Sequence, residues 1–305
     1  TPYYNHEQVV TVRSHVEDVN ILHTHLNDER NHGLYSYQLK ADGEWLEQVF
    51  SAVFFCIGHP NYQDFYKLKQ EEGYIHNPYP LREKLVGLKT SDKVAVIGAG
   101  STGVDVFRYL KKHYTFETPV HFLVRESAFK ISEIFLQEDA YPFSMSHTWI
   151  EETSHRNHGL IPLQEILNLI AEDFQAANRD FHTIHNRIRN VDLMTQKQIT
   201  DVEDQDIAYI QGYLSKLSRY FAELYGKLSA FDREEFLKTY DKILDFYLGP
   251  TPFETTLAIL EAYEEGHLAL LYNIESIETR DGEFMAQGDF NMTFDKIINA
   301  TGFDF

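Results

Sequence analysis

Gly98, Gly100 and Gly103 stand in the spacing G-x-G-x-x-G within KVAVIGAGSTGVDVFRYL, residues 93–110. That spacing divides three steric tasks. Gly98 permits a tight turn off a strand. Gly100 lets the backbone come close to a pyrophosphate, and Gly103 lets a helix settle against the sheet. A helix opening at this point offers unpaired N–H groups and the positive end of its dipole to phosphate. Ala99, Ser101 and Thr102 complete the same turn. The motif follows the strand-like KVAVI and opens a helical stretch, which is the context dinucleotide binding requires. A methyltransferase-like nucleotide site is the chemical alternative, since S-adenosylmethionine sites also use glycine-rich first loops.

The second strand of this unit ends in HFLVRES. An acid there would bond the 2′-hydroxyl of NAD, whereas an arginine would pair with the 2′-phosphate of NADP. Arg125 and Glu126 are adjacent. Arg125 comes first after the apolar run, Ser127 adds a donor, and guanidinium suits phosphate geometry. NADP is the expected nucleotide, with NAD as the alternative.

The chain is acidic, with 305 residues and a formal charge of −20. Such a surface repels phosphate backbones, so nucleic acid is not an expected partner. A phosphate ligand here needs backbone N–H groups or a placed arginine. Cys56 is the one cysteine. It excludes an internal disulfide and a two-cysteine redox centre, and the cytoplasm is the expected compartment. No apolar run reaches membrane-spanning length. The chain opens on Thr1 rather than Met, which leaves room for a removed leader.

Asp42-Gly43 reads as a hairpin turn, and the apolar run Ala52 to Ile57 closing on Gly58 reads as a buried parallel strand. Residues 61–90, with GYIHNPYPL, read as a connector. Val94–Ile97, Val104–His113 and Val120–Val124 read as β-α-β with parallel strands. Leu163, Ile166, Leu167, Ile170 and Phe174 fall at helical spacing, as do Tyr213, Leu217, Tyr220, Phe221 and Leu224. This helical block interrupts the α/β pattern as an insertion. Its aromatic stripe fits either a homodimer surface or its own core. Pro252 and Gly266 bracket a further helix. Residues 267–305 return to strands. They repeat the early pattern, with Asp281-Gly282 followed by an apolar strand closing on Gly302.

The expected organisation is a partial FAD-type domain over 1–60, a connector over 61–90 and a Rossmann-like NAD(P)-binding domain. The last is divided into 91–158 and 267–305 by a helical insertion over 159–266.

Several histidines could serve chemistry. His23 and His25 alternate on a strand face without a third ligand. His147, His155 and His158 lie in a polar irregular stretch, and His182 and His185 share a helix face. For each, an ordinary solvated role competes with metal binding, and no metal site is expected. No G-x-S-x-G elbow supports a serine nucleophile. Asp105 suits the first turns of its helix, and His76 is a candidate without a partner.

FSAVFFCIGHP, GYIHNPYPL, KVAVIGAGSTGVDV and FDKIINATGFD follow one another in an order that resembles two-dinucleotide-domain flavoproteins. These are FAD/NAD(P)-binding relatives of the flavin-containing and N-hydroxylating monooxygenases. The resemblance implies two nucleotide sites, the glycine turn being the second. It implies that Ala300-Thr301-Gly302 is a strand end linking the FAD and NAD(P) domains, with Cys56-Ile57-Gly58 a departed version. The family's first glycine turn, for FAD, is missing from residues 1–60. The chain is therefore expected to carry the tail of an FAD domain plus a nearly complete NAD(P) domain, with an incomplete flavin site. The implied reaction is hydride transfer from NADPH to FAD in the complete protein, with an unknown small-molecule substrate or monooxygenation. A non-catalytic NAD(P)H-binding sensor module is the alternative. The monooxygenase fingerprint F-x-G-x-x-x-H-x-x-x-W is not met, Gly73 to His76 being a compressed echo.

Overall fold

The computed structural model describes residues 13–23, 35–56, 60–125, 129–137, 141–188 and 192–303. The chain divides into two compact units, 1–59 and 60–305.

The first unit contains an antiparallel meander of β1 (Val16–His23), β2 (Tyr35–Ala41) and β3 (Glu44–Phe50). Asp42 and Gly43 both have positive φ, 51° and 87°. This is the type I′ geometry that the right-handed twist of a two-residue hairpin selects. The Asp42 carboxylate accepts from the Ser14 hydroxyl and from the His15 amide.

The strand expected over 52–57 is not formed at its described residues. Ala52–Cys56 carry no ladder bonds, and Phe54 and Phe55 are 86% and 66% exposed. β-propensity records how well a side chain fits a paired, half-buried surface. No described strand offers this run a partner. Ile57 and Gly58 lie outside the described residues.

The second unit begins with β4 (Tyr74–Ile75), α1 (Leu81–Lys84), β5 (Val94–Ile97), α2 (Ser101–His113) and β6 (Val120–Val124). The helical block follows as α3 (His147–Arg156), α4 (Leu163–Ala176), α5 (Phe181–Ile188), α6 (Leu193–Asp201) and α7 (Gln205–Leu217). It continues through α8 (Phe221–Lys227), α9 (Ala230–Thr239) and α10 (Asp241–Tyr247). Then come α11 (Phe253–Glu264), β7 (Leu268–Tyr272), β8 (Ser276–Arg280), β9 (Glu283–Gln287), β10 (Asn291–Phe294) and β11 (Lys296–Asn299).

Five strands form an all-parallel sheet in the order β4-β11-β5-β6-β7, and β8, β9 and β10 form an antiparallel meander. Alternation along the sheet explains its short apolar runs. Val94 and Val96 of β5, Phe122 of β6 and Ile298 of β11 pack with Phe107 of α2 and Ile259 of α11. Ala95, Ile97, Leu123 and Ile297 pack instead with Phe284, Ala286 and Phe294 of the meander. A sheet covered on both faces needs apolar residues at every strand position. The second Asp-Gly turn has the same geometry as the first, with φ of 54° at Asp281 and 86° at Gly282.

The helical block has its own core around Phe174, Tyr209, Tyr213 and Tyr247. The stretch 213–224 is not one helix. It breaks at a 3₁₀ turn over Ser218–Tyr220 between α7 and α8. The block is pinned where it leaves and rejoins the sheet. Thr251 N donates to Ile131 O at 2.9 Å, and Glu133 N to Thr251 O at 2.7 Å. The buried Gln211 side chain accepts from Ile134 N and donates to Ser132 O.

Candidate nucleotide crevice

The strand order reverses between β5 and β11. From β5 the chain moves outward to β6 and β7, and β11 then returns on the other side of β5. In open α/β sheets such a switch point leaves a crevice outside the carboxyl ends of the strands. Gly98 follows β5 and Ala300 follows β11, so both turns meet there.

The three glycines differ in what surrounds them. Gly98 has φ 93°, and a Cβ on it would lie 2.7 Å from the Ala300 carbonyl oxygen. A Cβ on Gly103 would lie 2.6 Å from the Gly98 carbonyl oxygen and 3.6 Å from the Phe122 ring. A Cβ on Gly100 would meet nothing within 4 Å. The outer two glycines are closed by the protein's own backbone, and the middle one faces open space.

A cavity of about 720 Å³ occupies the crevice, and Gly98, Gly100, Ser101 and Thr102 form one of its walls. Gly100 caps α2 without any side-chain cap bond, and the first intrahelical bond runs from Val104 N to Gly100 O. The first amides of the helix are thus left to a ligand or water. Ala300, Thr301 and Gly302 line the cavity from the β11 side, and Arg125 lines it from the end of β6. Ala99 and Gly103 do not line it: Ala99 is buried in the core between sheet and helix. Ser127, Glu126, Gly58 and His25 fall outside the described residues.

Residues with no such signal in the sequence complete the site. Phe65 and Tyr66, from the stretch read as connector, line the cavity, as do Ile274 and Asp245 of α10. The Arg125 guanidinium lies 4.8 Å over the Phe65 ring. Burial pushes the Tyr66 hydroxyl up, and nearby Arg125 partly opposes it. Lys130 holds Asp245, with Nζ 2.8 Å from the carboxylate.

Asn299, fully buried, secures the 300–302 turn. Its Oδ1 accepts from Thr301 Oγ1 at 2.8 Å and from Thr301 N at 3.3 Å. Its Nδ2 donates to Gln63 O at 2.9 Å and His76 O at 3.0 Å. A polar residue ending the apolar run KIIN was the one available signal for it. Asp105 accepts a 2.5 Å bond from the Tyr79 hydroxyl. Burial, then Asp105, drives that hydroxyl's pKa far above the usual tyrosine range.

His76 does not reach the cavity lining. Its Nδ1 is buried without a hydrogen-bond partner, and burial holds its pKa below the usual imidazole range. His147 pairs with Glu223 at 2.9 Å, and His185 contacts the Tyr247 hydroxyl at 3.1 Å. Among the described residues no group of three or more His, Cys, Asp or Glu is arranged to hold a metal ion. No described helix is long and apolar enough to cross a membrane.

Solved structures similar to this chain include L-lysine 6-monooxygenase from Pseudomonas syringae, at 10% identity and TM-score 0.36, covering 96% of this chain and 53% of that one. Another is the lysine monooxygenase NbtG from Nocardia farcinica, at 13% identity and TM-score 0.30, covering 88% and 43%. A third is DfoA, a cadaverine monooxygenase from Erwinia amylovora bound to FAD, at 12% identity and TM-score 0.34, covering 96% and 52%. The chain therefore spans about half the length of these structures. No curated protein matches it. The model of the L-lysine 6-monooxygenase/L-ornithine 5-monooxygenase family matches residues 8–217, and the chain belongs to that family.

Proposed function

We propose that this chain is the NADPH-binding portion of an FAD-dependent N-hydroxylating monooxygenase. The 98–103 turn takes the pyrophosphate, Arg125 and Ser127 take the 2′-phosphate, and the 300–302 turn closes the crevice opposite. The observation that carries this reading is the open approach at Gly100 beside the uncapped start of α2. That is the shape and charge a pyrophosphate fits without side-chain cations, as an acidic protein requires. Hydride delivery to a flavin is the chemistry NADPH supplies when bound. The chain's own part is to bind, orient and discriminate the nucleotide. The glycine turn expected for FAD is not found in residues 1–60.

Family membership supports the side-chain primary amine of an amino acid such as lysine or ornithine as the substrate class. Overall, one oxygen atom of O₂ enters the N–O bond, the other leaves as water, and NADPH loses two electrons. The methyltransferase-like alternative has no support from the family.

The test is titration with NADPH, NADH and S-adenosylmethionine, followed by amine-dependent NADPH oxidation in the complete flavin-loaded protein. Binding of NADPH with formation of a hydroxylamine is the expected result. Preferential binding of S-adenosylmethionine, or no nucleotide binding at all, would sink the reading.

A second reading keeps the nucleotide and drops the catalysis. Asp245 brings the helical block to the edge of the crevice, which would let nucleotide occupancy bias the block in a sensor module. Protease-cleavage patterns unchanged by NADPH count against it.

A further inference from the structure

We infer that Phe65 is a positioning residue that sets the preference for NADPH over NADH by holding the Arg125 guanidinium. The inference rests on the reading of Arg125 as the 2′-phosphate partner.

Phe65 is half exposed, at 50%, which burial does not explain. It is nevertheless fixed. Asp64 accepts from Leu68 N at 2.9 Å and Lys69 N at 3.1 Å, and its carbonyl accepts from Lys67 N at 3.2 Å. Leu68, at the far end of this turn, is buried against the meander side of the sheet. An aromatic ring is thus presented to the cavity on a locked turn.

Arg125 sits at the fixed end of β6 with its guanidinium carbon 4.8 Å over that ring. Among the described residues no carboxylate pairs with it. Asp245, the one acid on the described lining, is already held by Lys130.

A ring face attracts guanidinium without accepting any of its N–H bonds in the plane. Phe65 therefore holds the group beside the cavity without taking up its N–H bonds as a carboxylate would. A planar donor fork with free edges matches a phosphate monoester and has little to offer a ribose hydroxyl. A carboxylate partner in place of Phe65 would also orient the arginine, but it would occupy those edges and repel the phosphate. An aromatic residue on the connector solves both problems.

The experiment measures dissociation constants for NADP⁺ and NAD⁺ by calorimetry on the complete protein. It compares the parent with Phe65→Leu, Phe65→Tyr, Arg125→Ala and the Phe65→Leu/Arg125→Ala double variant. The expected result is that Phe65→Leu weakens NADP⁺ about two- to fivefold, the scale of one exposed cation–π contact, and leaves NAD⁺ unchanged. Phe65→Tyr keeps the parent ratio. Arg125→Ala collapses the ratio, and adding Phe65→Leu to it changes nothing more. An equal loss for both nucleotides in Phe65→Leu overturns the inference, because Phe65 is then only a wall. If Arg125→Ala leaves the ratio unchanged, the 2′-phosphate assignment itself is wrong, and the role of Phe65 falls with it.

Discussion

The carbonyl oxygen of Ala300 stands 2.7 Å from where a Cβ would sit on Gly98. Two residues some two hundred positions apart in sequence thereby seal the switch point of the sheet. The contact is reinforced by hydrogen bonds on either side, Ala300 N to Ile97 O and Gly98 N to Leu123 O, each at 2.9 Å. The glycine is required twice over, for its φ of 93° and for the missing side chain.

Gly98→Ala should therefore be a folding mutation. The left-handed backbone alone costs about 1–2 kcal/mol for a residue with a Cβ, and the blocked approach of β11 adds to it. The expected fall in melting temperature is at least about 2 °C. A melt indistinguishable from the parent's would show that the turn can relax away from Ala300.

Gly100→Val separates binding from folding. Its φ of −74° suits any residue, and a side chain there enters open space. Stability should change by less than about 1 kcal/mol. NADPH affinity should fall tenfold or more, because the Cβ and its methyls occupy the approach that the pyrophosphate needs. Melting and calorimetric titration of the same preparation distinguish the two effects.

Asn299→Ala should destabilise the second unit by about 2–4 kcal/mol. It strands the Gln63 and His76 carbonyls and frees Thr301 inside the fold. Asn299→Asp should rescue little, since a carboxylate cannot donate to the two carbonyls. Hydrogen exchange should show the loss concentrated at 62–63, 76 and 300–302.

Acid should weaken the fold through two imidazoles. Burial holds both His76 and His121 below their ordinary 6.5; Lys69 adds to the effect at His76, while Asp64 opposes it. At His121 the Pro119 carbonyl opposes it. The unfolded chain then takes up protons first as pH falls. The contribution to stability is present above about pH 6.5 and is lost as pH drops through that value towards the lower native pKa. Denaturant midpoints measured from pH 8 to pH 5 should decline less steeply in His76→Gln and His121→Gln than in the parent.

Local signals carried much of this protein. Residues 93–125 specify strand, glycine turn, helix and strand by spacing alone, and the two Asp-Gly pairs specify their type I′ turns, because each depends on neighbours within a few residues. The apolar spacing of Leu163, Ile166 and Phe174 likewise marks the buried face of α4. Tertiary structure decided what needs a distant partner. Ala52–Cys56 have the composition of a strand yet pair with no described neighbour, whereas Tyr74–Ile75, in a loop-like stretch, become β4 because β11 offers an edge. The same holds for the crevice. Its glycine wall is legible in the chain, but Phe65 and Asp245 line it, and Asn299 braces its 300–302 turn, only because the tertiary fold brings together segments that no local preference connects.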